Sequence, residues 1–116
     1  MAEGQIGKKL AARAIEKWGT DDQLRMLQEE CAELVQAINH YFRQVDNAKR
    51  NLIEELADVA IVHQQIVFAL EDRYSEIYSP GDYVLAFDIK KNRLERMIEN
   101  KQYESHDSEQ EYDGYY

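Results

Sequence analysis

Proline and glycine are scarce in this chain, one and five residues among 116. Helices can therefore run for long stretches without a breaker. There is a single cysteine, Cys31. It excludes an intramolecular disulfide and fits a reducing compartment. No stretch approaches the ~18 consecutive apolar residues of a membrane span. The first residues, MAEGQIGKKLAARAIEKWG, lack the apolar run of a secretory signal. A cytoplasmic protein with no membrane partner is expected. Basic residues are also in deficit: 14 Lys and Arg stand against 23 Asp and Glu, for a net charge of -9. That balance offers no broad basic face to a phosphate backbone, so no nucleic-acid polymer is expected as a partner. It is compatible with divalent cations.

What remains is an amphipathic helical pattern, 44% apolar and 32% charged, in a length that suits one domain. Ile6, Leu10, Ala14 and Trp18 recur every four residues and predict a first helix over about 4–18, ended by Gly19. A second opens at TDDQ, where Thr20 and Gln23 have capping-box spacing. Its seam is Leu24, Leu27, Cys31, Leu34, Ile38 and Tyr41. After the polar break RQVDNAKRN, Asp46 is the expected cap of a third helix running to about Arg73. Leu52, Leu56, Val59, Ile66 and Leu70 form its seam with His63 among them, and Ile53, Ala57, Ala60 and Val67 make a second apolar strip. So wide an apolar arc calls for a second subunit to cover it. In YSPGD, Ser79 caps and Pro80 opens a fourth helix that reaches about Asn100. The tail QYESHDSEQEYDGYY carries five acids and no Lys or Arg, and disorder is expected there. The expected architecture is all-α: a four-helix bundle-like protomer over 1–101, assembling with a second subunit, and an acidic disordered tail over 102–116.

The acids divide into two groups. Glu29 has Arg25 four residues earlier and Glu54 has Arg50, the spacing of ordinary surface ion pairs. Glu30, Glu33, Glu55 and Asp58 have no Lys, Arg or His three or four residues away. Glu30 points into the apolar stripe of the second helix, and Glu55 lies between Leu52 and Val59 on the third. A carboxylate facing a core without a partner is destabilised, or takes up a proton. A divalent cation offsets this, and Mg²⁺ takes such hard oxygen ligands while keeping waters and substrate phosphates in its shell. Two adjacent antiparallel helices in register would gather all four acids.

These residues resemble a known family. EECAEL followed by EELADV is similar to the E-x-x-E … E-x-x-D signature of the all-alpha, MazG-like nucleoside triphosphate pyrophosphohydrolases, with Glu30, Glu33, Glu55 and Asp58 as the signature acids. The likeness covers about residues 10–100, including KWG before the second helix and IKKNRLERMI in the fourth. It implies a nucleotide-pool house-cleaning hydrolase that converts a (d)NTP to (d)NMP and pyrophosphate. It implies Mg²⁺, with Mn²⁺ as a substitute, held by the four acids, one of which positions or deprotonates the attacking water. It also implies a homodimer or homotetramer, and phosphate contacts from the fourth helix. Lys90 and Arg93 match the family's Lys-x-x-Arg best, with Lys91 and Asn92 as alternatives.

Trp18, His40 and Tyr41 are the candidates for stacking on or hydrogen-bonding the base. His40 stands where family members often place an aromatic residue. A di-iron carboxylate bundle is excluded, because it needs Glu-x-x-His on two helices, and the residues three before His40, His63 and His106 are Ala37, Ala60 and Tyr103. The non-enzymatic alternative is a helical dimerisation or adaptor protein whose acids are structural.

Overall fold

The computed structural model describes residues 3–71 and 81–100. Among them there are three helices and no strand: α1 (Lys8–Phe42), α2 (Ala48–Glu71) and α3 (Asp82–Glu99). They fall into two compact units, Met1–Gly81 and Asp82–Tyr116. The expected start of the last helix at Ser79 and Pro80 and the acidic tail lie outside the described residues.

The first two expected helices form one element, α1, because helical structure continues on both sides of Gly19. The expected boundary is still marked, since Gly19 has non-helical torsions, φ 80 and ψ 167. This region is open essentially to glycine alone. A Cβ at Gly19 would meet nothing within 4 Å, so the constraint is torsional rather than steric. Gly19→Ala is therefore expected to cost about 1–3 kcal/mol of stability, read as a lower urea midpoint with an unchanged m-value.

The α1–α2 link spans 43–47 and reverses the chain. The N–H of Val45 donates to the carbonyl of His40, and the N–H of Gln44 to that of Tyr41, each at 3.1 Å. With Gln44 at φ 60, these are the paired bonds of a Schellman stop, which satisfies the last carbonyls of α1. The carbonyl of Asn47 then accepts from the N–H of Asn51 at 3.0 Å, so the ladder of α2 opens one residue after the expected cap, Asp46.

α1 packs on α2, and the faces they bury follow alternating four- and three-residue steps. On α1 this face is Gln23, Leu27, Glu30, Leu34 and Ala37; on α2 it is Ala48, Leu52, Glu55, Val59, Val62, Ile66 and Ala69, with Gln65 at its edge, all buried or half-buried. The expected seams are corrected by this. Leu27, Leu34, Leu52, Val59 and Ile66 belong to the packed face, but Leu24, Cys31, Ile38, Tyr41, Leu56 and His63 are exposed. Counting apolar residues favoured a stripe one position away, because the true seam contains Gln23 and Glu30. The segment before α1 is fixed to α2 by one side chain. Gln64 accepts from the N–H of Ile6 at 2.9 Å and donates to the carbonyl of Gly4 at 2.8 Å.

In the second unit, α3 carries Asp82 in its first turn and Arg96 in its last. Both signs suit the helix dipole. Tyr83 and Phe87 lie together with ring centroids 6.1 Å apart.

Candidate functional site

Glu30 and Glu55 occupy seam positions that would ordinarily hold leucine. Glu30 lies between Leu27 and Leu34 on α1, and Glu55 between Leu52 and Val59 on α2. Because the two helices run antiparallel from a short turn, these positions meet. One carboxylate oxygen from each of Glu30, Glu55 and Asp58 lies within 4.8 Å of the other two. Glu33, exposed on the next turn of α1, is near enough for its charge to act on the carboxyls of Glu30 and Glu55. The four acids singled out in the sequence thus stand together, three in one cluster and Glu33 at its side.

Electrostatics follow from this crowding. Burial pushes the Glu30 carboxyl above its ordinary value, and Glu33 and Asp58 push it the same way. Burial also raises Glu55, again reinforced by Glu33 and Asp58. Oε2 of Glu30 and Oε2 of Glu55 are buried without a hydrogen-bond partner. Such atoms are costly to bury unpaired. The cluster therefore presents oxygens that lack donors and charges that repel one another.

These features fit a hard divalent cation. All the donors are carboxylate oxygens, and their mutual spacing approaches that of ligands around one ion held at about 2.0–2.1 Å. An ion would neutralise the repulsion and occupy the unpartnered lone pairs. Soft or borderline metals would call for Cys or His, and the cluster contains neither.

The other candidates are less concentrated. Lys90, Lys91, Asn92 and Arg93 all lie on α3, in the second unit. Arg93 is buried, at 2% exposure; Lys90 is half-buried, and Lys91 and Asn92 are exposed. Trp18 is partly exposed beside the break at Gly19, with the Lys17 ammonium 5.2 Å from its ring centre. His40 is half-buried at the far end of α1, and Tyr41 packs edge-on against Phe42 with centroids 5.5 Å apart. Between Gly19 and His40 the helix rises about 30 Å. Trp18 and the His40–Tyr41 pair therefore cannot contact one base within one protomer. A cavity of ≈ 740 Å³ at the α1–α2 turn is lined by Tyr41, Phe42, Val45 and Asp46 among others, and includes none of the four acids.

Sequence reading missed two residues, the buried Gln23 and Gln65. The available signal was spacing: each stands seven residues from a signature acid, on the face that acid occupies.

The model of a family described as the MazG nucleotide pyrophosphohydrolase domain matches residues 19–77, half of the chain. The match holds all four acids and both packed helical faces, and leaves α3 outside. Comparison with curated proteins gave no match, nor did comparison with solved structures.

Proposed function

The chain belongs to the MazG nucleotide pyrophosphohydrolase family, and from that premise we propose that it hydrolyses a nucleoside triphosphate to the monophosphate and pyrophosphate with Mg²⁺ as cofactor. The observation that carries this reading is the meeting of Glu30, Glu55 and Asp58 within 4.8 Å, with unpartnered buried oxygens on two of them.

Glu30, Glu55 and Asp58 would hold the ion, with Glu33 as a fourth carboxylate at its edge. The metal supplies charge neutralisation for the triphosphate and for the departing pyrophosphate. Glu33 is exposed, and its charge acts on both Glu30 and Glu55. That position suits it to orient the attacking water and take its proton. Lys90 and Arg93, three residues apart on one face of α3, are the proposed phosphate contacts, with Lys91 and Asn92 the alternatives. The catalytic domain would span 1–101, with the acidic tail of 102–116 outside it.

A second copy of the chain is part of this proposal. Val35, Ile38 and Phe42 on α1 and Ile53, Leu56 and Ile61 on α2 are large and exposed, Phe42 at 76% and Ile53 at 67%. This apolar surface suits burial against a like surface in a homodimer or homotetramer. No helix among the described residues is long and apolar enough to cross a membrane. Cys31 is free and exposed, which suits a reducing cytoplasmic setting.

Thermal denaturation separates this reading from an adaptor with structural acids. Millimolar Mg²⁺ with a non-hydrolysable triphosphate is expected to raise Tm by several degrees, since a ligand at 100 times its Kd adds about 2.7 kcal/mol to the folded state. An unchanged Tm favours the adaptor.

A further inference from the structure

Two side chains in the α1–α2 seam have no part in the proposed hydrolysis. Gln23 is wholly buried, at 0% exposure, and Gln65 is 9% exposed. Neither Oε1 has a hydrogen-bond partner. The Nε2 of Gln23 reaches only the sulfur of Met26, at 3.4 Å, a weak acceptor. Apart from Glu30 and Glu55, the rest of the seam is Leu, Val, Ile and Ala, and an apolar side chain of similar shape would avoid an unpaired buried carboxamide oxygen.

Their placement is regular. Gln23 stands two helical turns before Glu30, and Gln65 two turns after Asp58. The helices are antiparallel, so both displacements run the same way, about 10 Å from the acids toward the Gly19 end. The glutamines therefore occupy, one level along the seam, the positions that Glu30 and Asp58 hold at the acid cluster. Phosphates at the acids would leave the nucleoside to extend along the seam in one direction or the other. Toward Gly19 it meets these two unsatisfied carboxamides and, at the break itself, Trp18.

We propose that Gln23 and Gln65 read the hydrogen-bonding edge of the substrate's nucleobase, an inference that rests on the hydrolase reading above. A carboxamide offers one acceptor and one donor group, and the atoms left unpaired are acceptors. The matching ligand is a base edge that presents N–H groups, as amino- and oxo-substituted purines and pyrimidines do. Both side chains are buried, so a base would need local opening to reach them. Residues 3–18 could lift about the non-helical Gly19, releasing the bonds from Gln64 to Ile6 and Gly4. Gln23 and Gln65 are specificity residues in this scheme; the acids remain the reacting centre.

The test uses the full chain with Gln23→Met and Gln65→Met, which keep length while removing the carboxamide. Pyrophosphate release is measured across the common ribo- and deoxyribonucleoside triphosphates. The melting temperature is recorded without nucleotide and with non-hydrolysable analogues of each base. The wild type is expected to favour one base. Each variant is expected to reduce that preference by at least about tenfold, and to melt in nucleotide-free buffer at the wild-type temperature or above. Variants that keep the wild-type preference overturn the proposal whatever their Tm, as does a wild type that treats all bases alike. A wild type that releases no pyrophosphate overturns the hydrolase reading instead. The glutamines are then judged on the analogue-induced Tm shifts alone, where base dependence lost in the variants upholds them and base dependence kept, or absent from the wild type, does not.

Discussion

Glu55→Gln is expected to lower pyrophosphate release by at least about 100-fold and, in metal-free buffer, to raise the melting temperature. The two effects share one cause. Glu55 sits in the packed seam between Leu52 and Val59, with Oε2 buried and without a hydrogen-bond partner. Glu33 and Asp58 crowd it with like charge. Glutamine keeps the shape, removes the charge, and brings an amide that can donate to the neighbouring carboxylates. The metal-free fold gains from this, and the cluster loses a ligand. Asp58→Asn separates the two effects. Asp58 shares the cluster but is exposed, so turnover should fall as steeply with little change in Tm. Pyrophosphate release and thermal melts in EDTA read both quantities on the same preparations. Retained release in either variant would contradict the assignment of these carboxylates, and a lower metal-free Tm for Glu55→Gln would contradict the strain ascribed to the site.

The second large effect is on the pH dependence of stability. Burial first, and then neighbouring carboxylates, raise Glu30 and Glu55 above their ordinary value of 4.5. A carboxyl raised in the folded state binds more protons folded than unfolded, so its contribution to stability falls as pH rises. It is most favourable below the unfolded value, and is lost as pH climbs through the raised folded values. Many other acids titrate in the same range, so the informative quantity is a difference. Relative to wild type, the Glu30→Gln, Glu55→Gln double variant should gain stability progressively from about pH 4.5 upward in EDTA. Mg²⁺ is expected to change this, since a cation bound at the deprotonated cluster would release protons. With millimolar Mg²⁺ at pH 8, wild type should recover what it lost and the double variant should not. Urea denaturation over this range, with and without the metal, makes the comparison. A wild type whose stability, relative to the double variant, rises with pH in EDTA would reverse the sign and remove the electrostatic case for a cation.

Much of this was legible in the sequence, and the misses have physical reasons. The helical class followed from the scarcity of breakers and from apolar periodicity. Gly19 was legible as a boundary because few other residues adopt its torsions. The four acids stood out by partner counting, which needs only the i±3 and i±4 geometry of a helix. The seams were misjudged because apolar residues cover two faces of α1 and α2. One face packs within the protomer, and the other holds Val35, Ile38, Phe42, Ile53 and Leu56 at the surface. A tally of hydrophobicity cannot distinguish a face that meets its own hairpin partner from one that stays exposed on the protomer. Here the intraprotomer face is the more polar of the two, since it carries Gln23, Glu30, Glu55 and Gln65. Polar residues at heptad spacing were thus the truer marker of the buried seam. Gln23 was read as part of a capping box, a reading drawn from its neighbours in sequence, whereas its burial depends on the antiparallel pairing of α1 with α2.

The candidate base contacts show the same limit. Trp18, His40 and Tyr41 were all plausible by residue type. Only the helical rise along α1 shows that Trp18 stands about 30 Å from His40 and Tyr41, too far to serve one base in one protomer. A nucleoside lying toward Gly19 is close to Trp18, while His40 and Tyr41 would serve a site only in an assembly that brings in another copy.

The most direct measurement is product analysis. The full chain is incubated with each nucleoside triphosphate and Mg²⁺, the products are resolved by anion-exchange chromatography, and parallel reactions contain EDTA or the Glu55→Gln variant. The predicted result is nucleoside monophosphate and pyrophosphate in equal amounts, formed only by wild type with metal. Nucleoside diphosphate with inorganic phosphate, or no product from any nucleotide, would contradict it.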